Sequence, residues 1–170
     1  MNDSTGPFVA LAVLCQRYDR QPDGTADVSG IVDGLGFRAD SPHGLLHNPA
    51  LVPLMALVAL RAGAMRGAHE ATISGTFPSG VPGPSVSQRV VFTDDRPGVT
   101  LRVPLELSVQ EPGTYWFDVR LDGRLLTRIS LAARGYGTIT VNVGPGDRGV
   151  PVGIPDVTVF GPDLDGLERV

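Results

Sequence analysis

The sequence predicts an all-β protein: an antiparallel β-sandwich of eight to ten short strands. Three observations carry that expectation. The 22 Gly and 15 Pro of this 170-residue chain are spread along its length and interrupt every run long enough to build a helical face. Between them lie apolar stretches, the clearest of which, 99–109, alternates strictly in the period of two that a half-buried strand requires. Asp-Gly pairs at 23–24 and 122–123 stand between such stretches as hairpin turns do. Short strands joined mostly by hairpins pack as two layers.

The first element is the run FVALAVLC, Phe8 to Cys15. It could pass for the core of a secretory signal, but the preceding MNDSTGP carries Asp3 and no cation, and Leu14 stands where a small residue should precede the Cys. It reads instead as a buried strand covered on both faces, with Cys15 packed as a small hydrophobe in a reducing cytoplasm. Leu11–Tyr18 and Ala26–Val32 pair as a hairpin, and residues 33–50 read as a long connection. Strands follow at Leu51–Arg61, His69–Phe77 and Val86–Phe92; Leu, Met and Ala in Pro53–Ala64 would also suit a short helix, against which strand is preferred. In Val99–Val109 the odd positions face inward. Pro104 lacks an N–H, which places it on a sheet edge or at a bulge that splits the strand.

The next hairpin, EPGTYWFDVRLDGRLLTRISL, has an arguable register. A plain two-residue Asp122-Gly123 turn sets Phe117 against Arg128, a cation against the core. A three-residue loop, Leu121-Asp122-Gly123, pairs Val119 with Leu125, Phe117 with Thr127 and Tyr115 with Ile129. It turns Trp116, Asp118, Leu126 and Arg128 outward together, with Arg128 able to stack on the Trp116 ring. From Gly135, YGTITVNVG reads as a further strand, and Val157, Thr158, Val159 and Phe160 as a short one that should not be left bare. The expected organisation is one sandwich domain over 1–150 and a C-terminal extension, 151–170, partly docked.

Two segments resemble known proteins. LCQRYDRQPDGTADVSGIVDGL is similar to the opening of an uncharacterised group of bacterial β-sandwich proteins, with an apolar strand ending near Cys15, a Gly-containing turn, and Gly30-Ile31-Val32-Asp33. The pattern Pro112, Gly113, Tyr115, Phe117, Val119, Asp122, Gly123 resembles the late hairpin of that group and of immunoglobulin-like domains. The resemblance spans most of 8–132 and implies an immunoglobulin-like or related Greek-key topology. It also implies that Tyr115 is a corner tyrosine, its ring in the core and its hydroxyl bonded to backbone just before the strand. The group carries no activity to transfer.

No constellation converges on chemistry. His43, His47 and His69-Glu70 could be imagined as a metal site, but Pro42, Gly44 and Pro49 deny residues 43–47 the helix that would align them. Asp94-Asp95, Asp163 and Asp165 lack calcium-loop spacing. There is no nucleophile elbow, and a chain without Lys has no phosphate-loop lysine. Net charge of −4 argues against nucleic acid, and no stretch approaches the roughly 20 apolar residues that span a bilayer. The expectation is a non-enzymatic cytoplasmic module, without cofactor or metal, that binds a protein partner or itself. Its interface candidates are Trp116, Asp118, Leu126 and Arg128 on the hairpin and Val157, Val159 and Phe160 in the extension. A sandwich that binds a small ligand or carbohydrate is the alternative, poorly supplied by one Trp and three Tyr.

Overall fold

The structure is a computed structural model that describes residues 6–39, 49–137 and 157–160. Ten strands follow in chain order: β1 (Phe8–Arg20), β2 (Ala26–Val32), β3 (Gly34–Ala39), β4 (Ala50–Arg61), β5 (Gly67–Thr76), β6 (Pro82–Phe92), β7 (Gly98–Val109), β8 (Gly113–Leu121), β9 (Arg124–Gly137) and β10 (Val157–Phe160). They form a four-stranded sheet, β2-β1-β4-β7, and a six-stranded sheet, β10-β3-β9-β8-β5-β6. Leu14, Val58, Leu101 and Leu105 from the first sheet meet Phe37, Ile73, Phe117 and Leu131 from the second in one core. The protein is an all-β sandwich, and no helix occurs among the described residues.

β4 is a strand because it has neighbours on both sides. It pairs with β1 from Phe8↔Arg61 to Cys15↔Met55 and with β7 along its whole length. The β1 ladder stops at Met55, so Pro53 has a partner strand only at Glu106 and no amide is missed on its other side. Pro104 does lie on an edge strand, opposite Met55, and β7 runs through it unbroken.

Four expectations are corrected. Residues 33–50 are not all connection: Gly34 to Ala39 form β3, which Gly34 and Gly36 hid by diluting an alternation that buries Leu35 and Phe37. The chain therefore leaves one sheet at Val32 and enters the other at Gly34, where β3 lies parallel to β9. The strand expected over Val86–Phe92 begins earlier, at Pro82: Pro82-Gly-Pro opens β6, tolerated because β6 is the outermost strand of its sheet and pairs with β5. Gly135 to Gly137 continue β9 instead of opening a new strand, and the rest of that predicted strand, 138–144, lies outside the described residues. Finally, β1 is not covered on both faces: Phe8 and Leu11 are 48% and 41% exposed.

The β8–β9 register also differs from expectation. Asp122 (φ 50°) and Gly123 (φ 78°) are both left-handed, as a two-residue hairpin turn requires. The pairs nearest it are Leu121↔Arg124 and Arg120↔Leu125. The ladder then shifts so that Val119 meets Thr127, Phe117 meets Ile129 and Tyr115 meets Leu131. Leu126 is the extra residue of a bulge. The chain avoids the Phe117 and Arg128 conflict by this bulge, not by a longer loop, and keeps its large apolar groups inward.

Candidate functional site

Trp116 and Asp118 project from β8 on the side away from the core, since Tyr115, Phe117 and Val119 take the inward positions. The register sets Asp118 opposite Arg128 and Trp116 opposite Ser130, so Trp116 does not face Arg128 as the three-residue loop would have had it. Arg128 gives its guanidinium to Asp118: Nε donates to Oδ1 at 2.7 Å. Arg120, which the sequence reading passed over, donates from Nη2 to Asp118 Oδ2 at 2.9 Å and from Nη1 to the Gly123 carbonyl at 3.2 Å. Asp118 is buried under these two partners, 9% exposed, while both arginines remain partly open. Two guanidiniums on one carboxylate leave a net positive charge and unspent N–H donors beside the Trp116 ring, which is 41% exposed.

Around this cluster the sheet face is low and hydroxylated. Thr76 stands opposite Trp116, Ser74 opposite Asp118 and Thr72 opposite Arg120 on β5, and Thr72 bonds Ser87 of β6 at 2.8 Å. Leu126 belongs elsewhere: as the bulge residue it packs against the core, and Leu125 takes the exposed position. Val157 to Phe160 form β10, antiparallel to β3 at the far edge of the same sheet. Two strands, β3 and β9, separate β10 from β8, so the two groups of interface candidates are not brought into one patch. A Trp, a bridging Asp and two Arg at cross-strand positions were legible only in part, because Arg120 joins the cluster through its own neighbour, Asp118, two residues back.

A second polar cluster gathers at one end of the sandwich. His69 Nδ1 lies 2.7 Å from Asp122 Oδ2 and Nε2 lies 3.0 Å from the Arg66 carbonyl. Asp122 Oδ1 accepts the Glu70 amide at 2.9 Å. The amide and the histidine hold the Asp122 carboxyl below its usual range, and the Asp122 carboxylate pushes the imidazole up. Arg66 in turn pairs with Asp94 at 2.6 Å. His69, Glu70 and Asp122 border a shallow, open depression of ≈ 490 Å³ that also includes Ser87 and Arg89. Both ring nitrogens face acceptors, so each has a partner other than Ser87 and the doubly protonated ring is favoured. A His-Asp pair in a depression with a serine is thus wired as a structural clasp.

The remaining candidates fall apart. His43 and His47 lie outside the described residues, as do Asp163 and Asp165. Among the described residues no three His, Cys, Asp or Glu are placed to hold a metal ion. Asp95 accepts the Thr93 hydroxyl at 2.6 Å. Cys15 is fully buried, and burial pushes its thiol up, away from the thiolate that reactivity needs. Among the described residues no helix is long and apolar enough to cross a membrane.

No family model and no curated protein matches the chain. Among solved structures, the chain is similar to an immunoglobulin-like protein from Pseudomonas aeruginosa, 12% identical with a TM-score of 0.34, covering 74% of this chain and 98% of that one. It is also similar to a protein from Bacillus anthracis described as a putative lipoprotein, 12% identical with a TM-score of 0.28, covering 71% of this chain and 85% of that one.

Proposed function

We propose that this protein is a non-catalytic interaction module of the bacterial cytoplasm that binds a protein partner through the outer face of its six-stranded sheet. The observation that carries this reading is the half-exposed Trp116 standing beside the Arg120, Asp118 and Arg128 cluster. A solvated sheet face gains nothing from an indole, whereas Trp and Arg are the side chains that most often anchor an interface. The pinned carboxylate fixes both guanidiniums before a partner arrives, which lowers the ordering cost of binding. The second polar cluster supports the non-catalytic part, since its histidine is spent on two acceptors.

The single Trp is its own reporter. Capture from the native host's lysate should yield a protein retained by the wild type and lost with Trp116→Ala and with Arg128→Ala. Binding of the purified partner should shift Trp116 emission to the blue, and fractionation should find both in the cytoplasm. Truncating a central anchor should weaken binding by about 2 kcal/mol. Equal retention by both variants overturns the face. A glycan that binds the wild type and quenches Trp116 would move the assignment to carbohydrate.

A further inference from the structure

The outer face of the four-stranded sheet is aliphatic. β4 buries Val52, Leu54, Ala56, Val58 and Leu60 in the core and turns Leu51, Pro53, Met55, Leu57 and Ala59 the other way. In the β1 ladder, Leu11 meets Ala59, Val13 meets Leu57, and Cys15 meets Met55 on one side and Ile31 on the other. Leu57 and Cys15 are almost fully buried yet lie outside the core cluster. Arg102, opposite Leu57 in the β7 ladder, holds its guanidinium 5.4 Å over the Tyr18 ring, and since β4 separates β1 from β7, that pair reaches across β4. The rest of the face stays open. Phe8, Leu11, Ile31 and Leu51 are 48%, 41%, 40% and 61% exposed. Strands apolar on both faces belong in sheets covered on both faces.

We propose that two copies of this chain pack these faces together as a two-fold, sheet-on-sheet dimer. The area suits it. Twelve residues of β4 at about 3.3 Å each, across four strands about 4.8 Å apart, outline roughly 750 Å² per copy, close to the ~800 Å² per partner of a standard interface. The charge suits it as well. The charged groups of the face, Arg17, Asp19, Asp27, Arg61, Arg102 and Glu106, are three of each sign and stand toward strand ends or on the edge strands, and the middle from Leu11 to Met55 carries none. A neutral aliphatic surface is complementary to itself, which is the condition an isologous two-fold contact imposes. This face is separate from the one bearing Trp116, and the two assignments stand or fall independently.

Sedimentation velocity on the full chain over a micromolar dilution series tests it. The wild type should run at twice the 17.9 kDa chain mass. Leu11→Glu with Leu51→Glu should run as a monomer with an unchanged far-UV spectrum, its dissociation constant raised by about tenfold or more, while Trp116→Ala should remain dimeric. If the double variant unfolds, Ile31→Glu on the edge strand replaces it with the same expected result. A wild type that is monomeric throughout, or a dimer that survives these variants and dissolves with Trp116→Ala, overturns the proposal. So does a monomer that cosediments with phosphatidylcholine and phosphatidylglycerol vesicles, which would give the face to lipid.

Discussion

Tyr115 ties the turn between β7 and β8 to the core. Its ring is 1% exposed and meets Phe77 edge-on at 5.6 Å. Its hydroxyl donates to the Glu111 carbonyl at 2.9 Å and accepts the amides of Gln110 and Glu111 at 3.2 and 3.3 Å. Burial raises the phenol above its ordinary value, so it stays a neutral donor across the physiological range. Tyr115→Phe keeps the ring and orphans three backbone groups, which should cost about 1–2 kcal/mol, read as a lowered urea midpoint at constant slope. This residue was legible because Pro112, Gly113, Tyr115 and Phe117 resemble the late hairpin of immunoglobulin-like domains, which implies a tyrosine in this role. His69 was not: its partner Asp122 lies 53 residues away, and Asp122 already had a sufficient reason to exist as a turn residue.

At the scale of elements, alternation located strands well and turns poorly. β7 announced itself through its odd positions, while β3 was lost because two of its six residues are Gly, which carry no hydropathy signal. The β8–β9 hairpin shows why register is harder still. Apolar matching excluded the straight two-residue register, yet a longer loop and a bulge satisfy that matching equally, and only backbone conformation separates them. Gly123 has open space around a would-be Cβ but a φ of 78°. Gly123→Ala should therefore act through the backbone alone and destabilise by about 1 kcal/mol, seen as a lower melting midpoint. It should also loosen the contact between Asp122 and His69, visible in the His69 ring resonances.

Across the whole molecule, the His69 clasp joins the β4–β5 turn, through Arg66, to the β8–β9 turn, through Asp122, and Arg66 extends it to Asp94 in the β6–β7 turn. His69 is raised above 6.5 in the folded state, so its contribution is complete below the unfolded value and is lost as pH rises through the folded one. Asp122 is lowered below 3.8, so its share is present above that value and is lost only as pH falls through the folded one. Melting temperature should therefore hold on the acidic side of neutrality and decline on the alkaline side, and His69→Gln should remove that decline. A wild-type profile that is flat or rises through this range would refute the clasp. The crossing at Asp33 has a further consequence, for the birth of the protein. β3 must wait for β9, about a hundred residues later in the chain, and β4 for β7, about fifty later. On a ribosome emitting the N-terminal end first, β1 to β4 emerge with their apolar faces unmatched and stay so until most of the chain has followed. Such a nascent chain needs holding, and its folding should be slow and late.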